Sequence, residues 1–269
     1  MTPRDPPDSG LPPDQAHGLR RLFAQPRLRL VPVVSNPHMG FTGVILERLC
    51  AAIAEQGART LVVDASDGAS LAGELAQMDL AACIEPMSAS MSYLPARALP
   101  LRYVDTHGST APFLQAVADA APEADVVLMH AGASELSRMF ARQTLVTRVR
   151  PLLLADDHPA SVTHAYASMK WLAMRAQLRV YHLVLGAAAT SPRAGRIAEQ
   201  LATCADTFLG ALLHSSTLVD PASHACDEPP ASLRLLARTL LSAAESPAAG
   251  GAADPPSTPR TRPTAQALN

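Results

Sequence analysis

Lysine is almost missing from this sequence: the 269-residue chain holds one, Lys170. Any loop that relies on a lysine to hold an anion is thereby excluded, because Lys170 falls inside a helical pattern rather than a loop. Long apolar runs are missing as well. No stretch of about 18 apolar residues occurs, and the N-terminus, MTPRDPPDSG, is polar and proline-rich, without the apolar core of a secretory leader. A cytoplasmic protein without a strong membrane anchor is expected. Net charge is close to absent, at -2 with a pI near 6.5, so nothing global attracts nucleic acid or an anionic membrane. The cysteines, Cys50, Cys83, Cys204 and Cys226, form no CxxC pair. Neither a zinc site nor a disulfide framework is indicated, and they read as reduced, mostly core thiols.

What is present is apolar material in short blocks. With 48% hydrophobic and 17% charged residues the chain can bury one sizeable core. Proline and small residues gather in residues 1–13 and again from Ser246, where no apolar periodicity survives, so both ends are expected to be disordered. The organisation read from this is an N-terminal segment, 1–26, carrying one short helix, a folded body, 27–245, and a proline-rich tail, 246–269. Within the body, short apolar runs alternate with helical patterns, which predicts an α/β fold with a mainly parallel central sheet and helices on both faces. Strands are predicted at Leu28–Val34, Thr60–Asp64, Leu101–Asp105, Val126–His130, Leu152–Ala155 and Arg179–Leu185. Helices are predicted at Gly43–Gln56, Pro112–Ala121, Ser134–Val149, Ser161–Ala176, Ala194–Ala205 and Ser232–Glu245. In the first helix Val44, Ile45, Leu49, Ala52 and Ile53 recur at one-face spacing, with Gly57 placed as a C-terminal cap. Pro32 is an anomaly in a strand, since a central strand needs that N–H for its ladder.

The turn between the first strand and first helix, Ser35-Asn36-Pro37-His38-Met39-Gly40-Phe41-Thr42-Gly43, occupies the place of a phosphate-binding loop. Its chemistry does not suit phosphate. Such a cradle needs glycines for close approach, an N–H at each step, a lysine, and a hydroxyl for magnesium. Pro37 removes a donor, Met39 and Phe41 put side chains where backbone should approach, and Gly43 has no hydroxyl.

From Val33 to Asp64, through Glu55-Gln56-Gly57 and Leu61-Val62-Val63-Asp64, the sequence resembles the opening βαβ unit of MinD/ParA-type P-loop ATPases, whose loop reads roughly GGKGGVGKT. On that pattern Pro37 stands at the signature lysine, Thr42 at the phosphate lysine and Gly43 at the magnesium hydroxyl. Asp64 matches the acid ending the second strand. Asp125-Val126-Val127-Leu128-Met129-His130-Ala131-Gly132 resembles the strand that closes in an aspartate, with His130 in its place. The asparagine that often reads adenine near Leu185-Gly186 is missing. Two further segments resemble the flagellar number and placement regulators FlhG and FleN. Asp14-Gln15-Ala16-His17-Gly18-Leu19-Arg20 is similar to their DQAxxLR segment, and His158 to Lys170 is similar to PEPxSxTDAYxxxK, with His164 replacing the aspartate. The resemblance covers about residues 14 to 245. It implies a MinD/ParA-type body that no longer hydrolyses ATP, needs no ATP-magnesium cofactor and is monomeric. It also implies that Asp14, Gln15, Ala16, Leu19 and Arg20 meet an FlhF-type GTPase at or near the cell pole, with flagellar basal-body proteins or a transcriptional activator as further candidate partners.

The residues leave alternatives open. Asp14 could simply cap a short helix with Ala16, Leu19 and Leu22 on one face. Asp64 and His130 could be strand-end groups with structural hydrogen bonds only. Tyr166 packing inward beside a solvated Lys170 is the default for that pair, and Arg142, Arg148 and Arg150 read as a solvated helix face. The competing functions are an active MinD/ParA-type ATPase, for which the lysine is missing, with Ser232–Glu245 as its nearest candidate membrane helix, and an accessory protein of the same fold in another system.

Overall fold

The computed structural model describes residues 28–71, 73, 79–141, 149–188, 190–224 and 227–242. The segment Asp14–Arg20, the tail from Ser246, and Arg142 and Arg148 lie outside the described residues.

The strands are β1 (Arg29–Val34), β2 (Thr60–Asp64), β3 (Glu85–Pro86), β4 (Met91–Pro95), β5 (Val126–Ala131), β6 (Leu152–Asp156), β7 (Val180–Gly186) and β8 (Leu212–Val219). They form one sheet in the order β3-β4-β2-β5-β1-β6-β7-β8. Every pairing is parallel except β3 with β4. The helices are α1 (Thr42–Ala54), α2 (Ala111–Ala120), α3 (Ala133–Phe140), α4 (Pro159–Ala176), α5 (Pro192–Leu209) and α6 (Ala231–Ser242). Helices α1 and α6 pack on each other over one face, while α2, α3, α4 and α5 pack in succession.

The two cores follow from the two-residue period of a strand. Val31 and Val33 of β1, Val62 of β2, and Val126 and Leu128 of β5 point to the α1 side, where Ile45, Leu49 and Ile53 meet them together with Leu233 and Leu236 of α6. Val34, Leu61, Val63, Val127 and Met129 point the other way, towards Phe113, Leu136, Phe140, Met169 and Leu172. Central strands are apolar on both faces because helices cover both.

Pro32 ceases to be an anomaly. Arg29 and Ser35 donate their N–H groups to Asp125 and Ala131 at the β5 side, so the N–H positions of even-numbered residues face β6. There pairing begins only at Val33 opposite Leu152, and the proline falls before the ladder starts.

Four expectations are corrected. The stretch predicted as a strand at Leu101–Asp105 is a 3-10 turn, Pro100–Tyr103, followed by a loop. Leu101 and Val104 are exposed, and the strand of this part of the chain is β4, ten residues earlier. Strands β3 and β8 were not predicted. β8 lies at the sheet edge, and its His214, Ser215 and Ser216 break the apolar run that marks a buried strand. The third predicted helix, Ser134–Val149, is observed as Ala133–Phe140, residues 142–148 lying outside the description. Val44, assigned to the inner face of α1, is exposed. Gly57 does take a left-handed φ of 79° after α1, a conformation open to glycine at little cost. Tyr166 packs against the core, and Lys170 is exposed. Among the described residues no helix is long and apolar enough to cross a membrane.

Candidate functional site

The C-terminal ends of β1, β2 and β5 and the first turn of α1 border a cleft of about 1760 Å³. Parallel sheets place ligand sites at this edge, outside the carboxyl ends of the strands. Of the sequence-predicted residues, Ser35, Asn36, Pro37, Gly40, Thr42, Gly43, Asp64 and His130 line it, together with Met39, whereas His38 and Phe41 of the same loop do not.

The loop after β1 is held by its own side chains. Asn36 is buried, and its Nδ2 donates to the Leu154 carbonyl at 2.9 Å, to the Ser161 carbonyl at 3.1 Å and to Ser161 Oγ at 3.0 Å. Its Oδ1 accepts the His38 N–H at 3.1 Å. Ser161 Oγ in turn accepts the Asp156 N–H at 3.0 Å. The amide thus ties β1, β6 and the start of α4 together, which satisfies groups that burial would otherwise leave costly. One strand further along the sheet, Met39 and Phe41 lean onto Gly186 at the end of β7. A Cβ built on Gly186 would overlap the Phe41 ring and lie 3.1 Å from Met39 Cε. Glycine is needed there because two side chains from another loop occupy the space.

The backbone donors of this loop are partly committed as well. His38 N–H goes to Asn36 Oδ1 and Met39 N–H to the Asn36 carbonyl, and Pro37 has none. Thr42 Oγ1 donates to the Met39 carbonyl at 3.2 Å. Pro37, Gly40 and Gly43 are exposed on the loop surface. His164 Nε2 donates to the Ser35 carbonyl at 3.2 Å, and its ring meets that of His38 edge-on. Burial pushes the His164 imidazole below its ordinary pKa; the Ser35 carbonyl works against this and the neighbouring His38 reinforces it.

Asp64 and His130 meet, although the sequence treats them as separate strand-end residues. Both have the parity that points towards α1 and are partners in the β2–β5 register. His130 Nδ1 lies 2.9 Å from Asp64 Oδ1, and Tyr93 of β4, with the same parity, donates to Asp64 Oδ2 at 3.3 Å. Ser66 N–H adds a bond to Asp64 at 3.1 Å. Burial works to raise the Asp64 carboxyl, but the hydrogen bond and charge of His130 together with Ser66 hold it below the ordinary carboxylate value. Burial, with Asp64 beside it, pushes the Tyr93 phenol up to about 12. With Nδ1–H given to the carboxylate, a neutral His130 ring presents Nε2 as an acceptor. That atom is buried and without a partner. Among the described residues no hydroxyl or thiol is bonded to it.

The charges around the cleft are of one sign. Glu47, Glu55, Asp64, Asp67, Asp227 and Glu228 line it, and no lysine or arginine among the described residues does. Arg234, outside the lining, takes Glu55 at 2.8 Å and Glu228 at 2.7 Å. Tyr93, Ser66, Ser161 and the cleft acids other than Asp64 were not singled out by the sequence. Strand parity could have placed Tyr93 beside Asp64 had β4 been found; nothing local marks Ser161 as the partner of Asn36.

No protein-family model and no curated protein matches the sequence. Solved structures do resemble the fold. Cobyrinic acid a,c-diamide synthase from Mycobacterium smegmatis is 14% identical with a TM-score of 0.56, over 81% of this chain and 96% of that one. Its structure with bound ADP and magnesium gives a TM-score of 0.55 at 14% identity, over 80% and 94%. The MinD cell division protein of Aquifex aeolicus gives a TM-score of 0.50 at 12% identity, over 79% and 96%. Identities this low speak for the fold alone, and the chain has the fold of the MinD/ParA-type P-loop ATPases.

Proposed function

We propose that this protein is a non-hydrolysing, FlhG-like regulator of flagellar number and placement, which needs no ATP and acts on an FlhF-type GTPase through Asp14–Phe23. The observation that carries the first half is the charge of the cleft. Where an ATPase of this fold gathers cations around phosphates, this cleft gathers carboxylates and has no lining lysine or arginine among the described residues. A nucleoside triphosphate would face repulsion from the carboxylates that Arg234 does not pair, and every charge-assisted phosphate contact worth roughly 1.5–3 kcal/mol is forgone. The loop that should wrap the phosphates instead spends Asn36, Met39 and Phe41 on the protein itself.

The second half rests on the resemblance of Asp14-Gln15-Ala16-His17-Gly18-Leu19-Arg20 and His158–Lys170 to FlhG and FleN. A polar side chain such as Gln15 would help position the attacking water or the catalytic loops of the partner. Stimulation of GTP hydrolysis by the cognate FlhF, read with wild type, Gln15→Ala and Leu19→Ala, tests this half. Each substitution is expected to lower stimulation without changing the thermal melt; stimulation equal to wild type in both overturns it. Calorimetric titration of ATP with magnesium tests the first half, with no micromolar binding expected and a micromolar Kd overturning it.

A further inference from the structure

We propose that residues 14–23 of this chain dock, within the same molecule, in the acidic groove between α1 and β4. The sheet is unevenly covered. On the α1 side, α6 follows α1 over β1, while β2 and β4 have no helix beyond α1 among the described residues. The groove this leaves is floored by Val62, Met91 and Tyr93, flanked by Ala51 and Ala54 of α1, and closed on the far side by Met87, which is 58% exposed. An apolar floor with carboxylates along its rim suits a short amphipathic segment with cationic flanks. Arg234 neutralises Glu55 and Glu228 at one end. Glu47 and Asp67 have no ion-pair partner among the described residues.

The chain itself carries a segment of that chemistry. Ala16, Leu19 and Leu22 fall on one side of a helical pattern and Arg20 and Arg21 lie beside them, with Arg27 following. Ten residues are too few to hold a helix alone in water, so the segment gains by lying on an apolar floor.

Reach decides in favour of the same molecule. Arg29, where the described chain begins β1, is in register with Val126, which is in register with Thr60, which is in register with Met91. The entry point and the groove floor therefore share one row across the sheet, three strand spacings or about 14 Å apart. The residues between Phe23 and Arg29 can span about 16–18 Å when extended. Phe23 can thus stand at the Met91 end of the groove with the segment running along α1. Docking there would hide the residues assigned above to the GTPase, but the inference stands on the groove and the reach, not on that partner.

The test uses the full-length chain with benzoylphenylalanine in place of Leu19, irradiated and digested, with an equimolar mixture of isotopically light and heavy protein. Methionine is a good acceptor for this probe, and Met87 and Met91 line the groove. The expected result is adducts on Met87 or Met91 within one isotope class, with the yield falling about fivefold in Arg20→Glu/Arg21→Glu. Mixed-isotope adducts alone, meaning a second copy supplies the segment, overturn the proposal. So do adducts confined to other surfaces, a yield no higher than from the same probe at Ala265 in the tail, or a yield unaffected by the charge reversal. No GTPase is present, so failure here and failure of the proposed function are read separately.

Discussion

The loop after β1 and the flank of the sheet beside it, over β2 and β4, border one cleft and are built in opposite ways. The loop is filled: an asparagine amide, a methionine and a phenylalanine occupy the space around it, each with a partner on another element. The flank is open, with small side chains on α1, apolar residues on the floor and carboxylates around the rim. The backbone groups and space of the loop are accounted for by its own side chains. The acids on the flank favour a cationic partner.

Substitutions sharpen this contrast. Asn36→Ala leaves the Leu154 carbonyl, the Ser161 groups and the His38 N–H without their shared partner, and should cost about 2–3 kcal/mol in urea unfolding. A cost below about 0.5 kcal/mol would mean water replaces the amide freely, and the loop is not self-held. Gly186→Ala forces the Phe41 ring aside and should cost about 1–3 kcal/mol. Adding Phe41→Ala to it should recover part of that loss, because the clash is with that ring; additive losses would show that the strand end itself rejects a side chain.

The Asp64–His130 pair lies between the two regions and gives a pH signature. Asp64 is held below the ordinary carboxylate value, so its contribution is fully present above the unfolded value near pH 3.9 and is lost as pH falls through the lower folded value. The denaturation midpoint of wild type should therefore fall more steeply below about pH 4 than that of Asp64→Asn. Parallel profiles in that range would remove Asp64 from the account. On the open flank, Ala51→Leu places added atoms where residues 14–23 are proposed to lie, and should cost no more than about 1 kcal/mol in urea unfolding, since the described fold leaves Ala51 exposed. A larger loss would show that Ala51 packs inside the folded body itself.

Much of the α/β order was legible because helices and buried parallel strands carry their periods in the sequence. Thr60–Asp64 is found as predicted, and β1, β5, β6 and β7 differ from prediction by a residue or so at their ends. Polar or short strands were not legible. β8 alternates exposed and half-buried positions over Leu212–Ser216 at an edge, and β4 is only partly buried, so neither shows a continuous apolar run. The strand wrongly placed at Leu101–Asp105 drew on apolar residues that lie at the surface. The Asn36 anchor was invisible, because an asparagine in a turn is most simply a turn residue, and its partners come 118 and 125 residues later.

By itself, the sequence determined that no lysine loop could hold phosphate, since that depends on residue identity and the chain has a single lysine. It also determined the alternation of strand and helix, because burial on two faces imposes a period that composition must obey. Tertiary structure alone decided which side chains hold the loop after β1 and that Asp64, Tyr93 and His130 stand together. It alone decided, too, that the acids of α1, of the turn after β2 and of the stretch before α6 ring one cleft. Those relations join residues far apart in the chain, and only the strand order and register bring them within bonding distance.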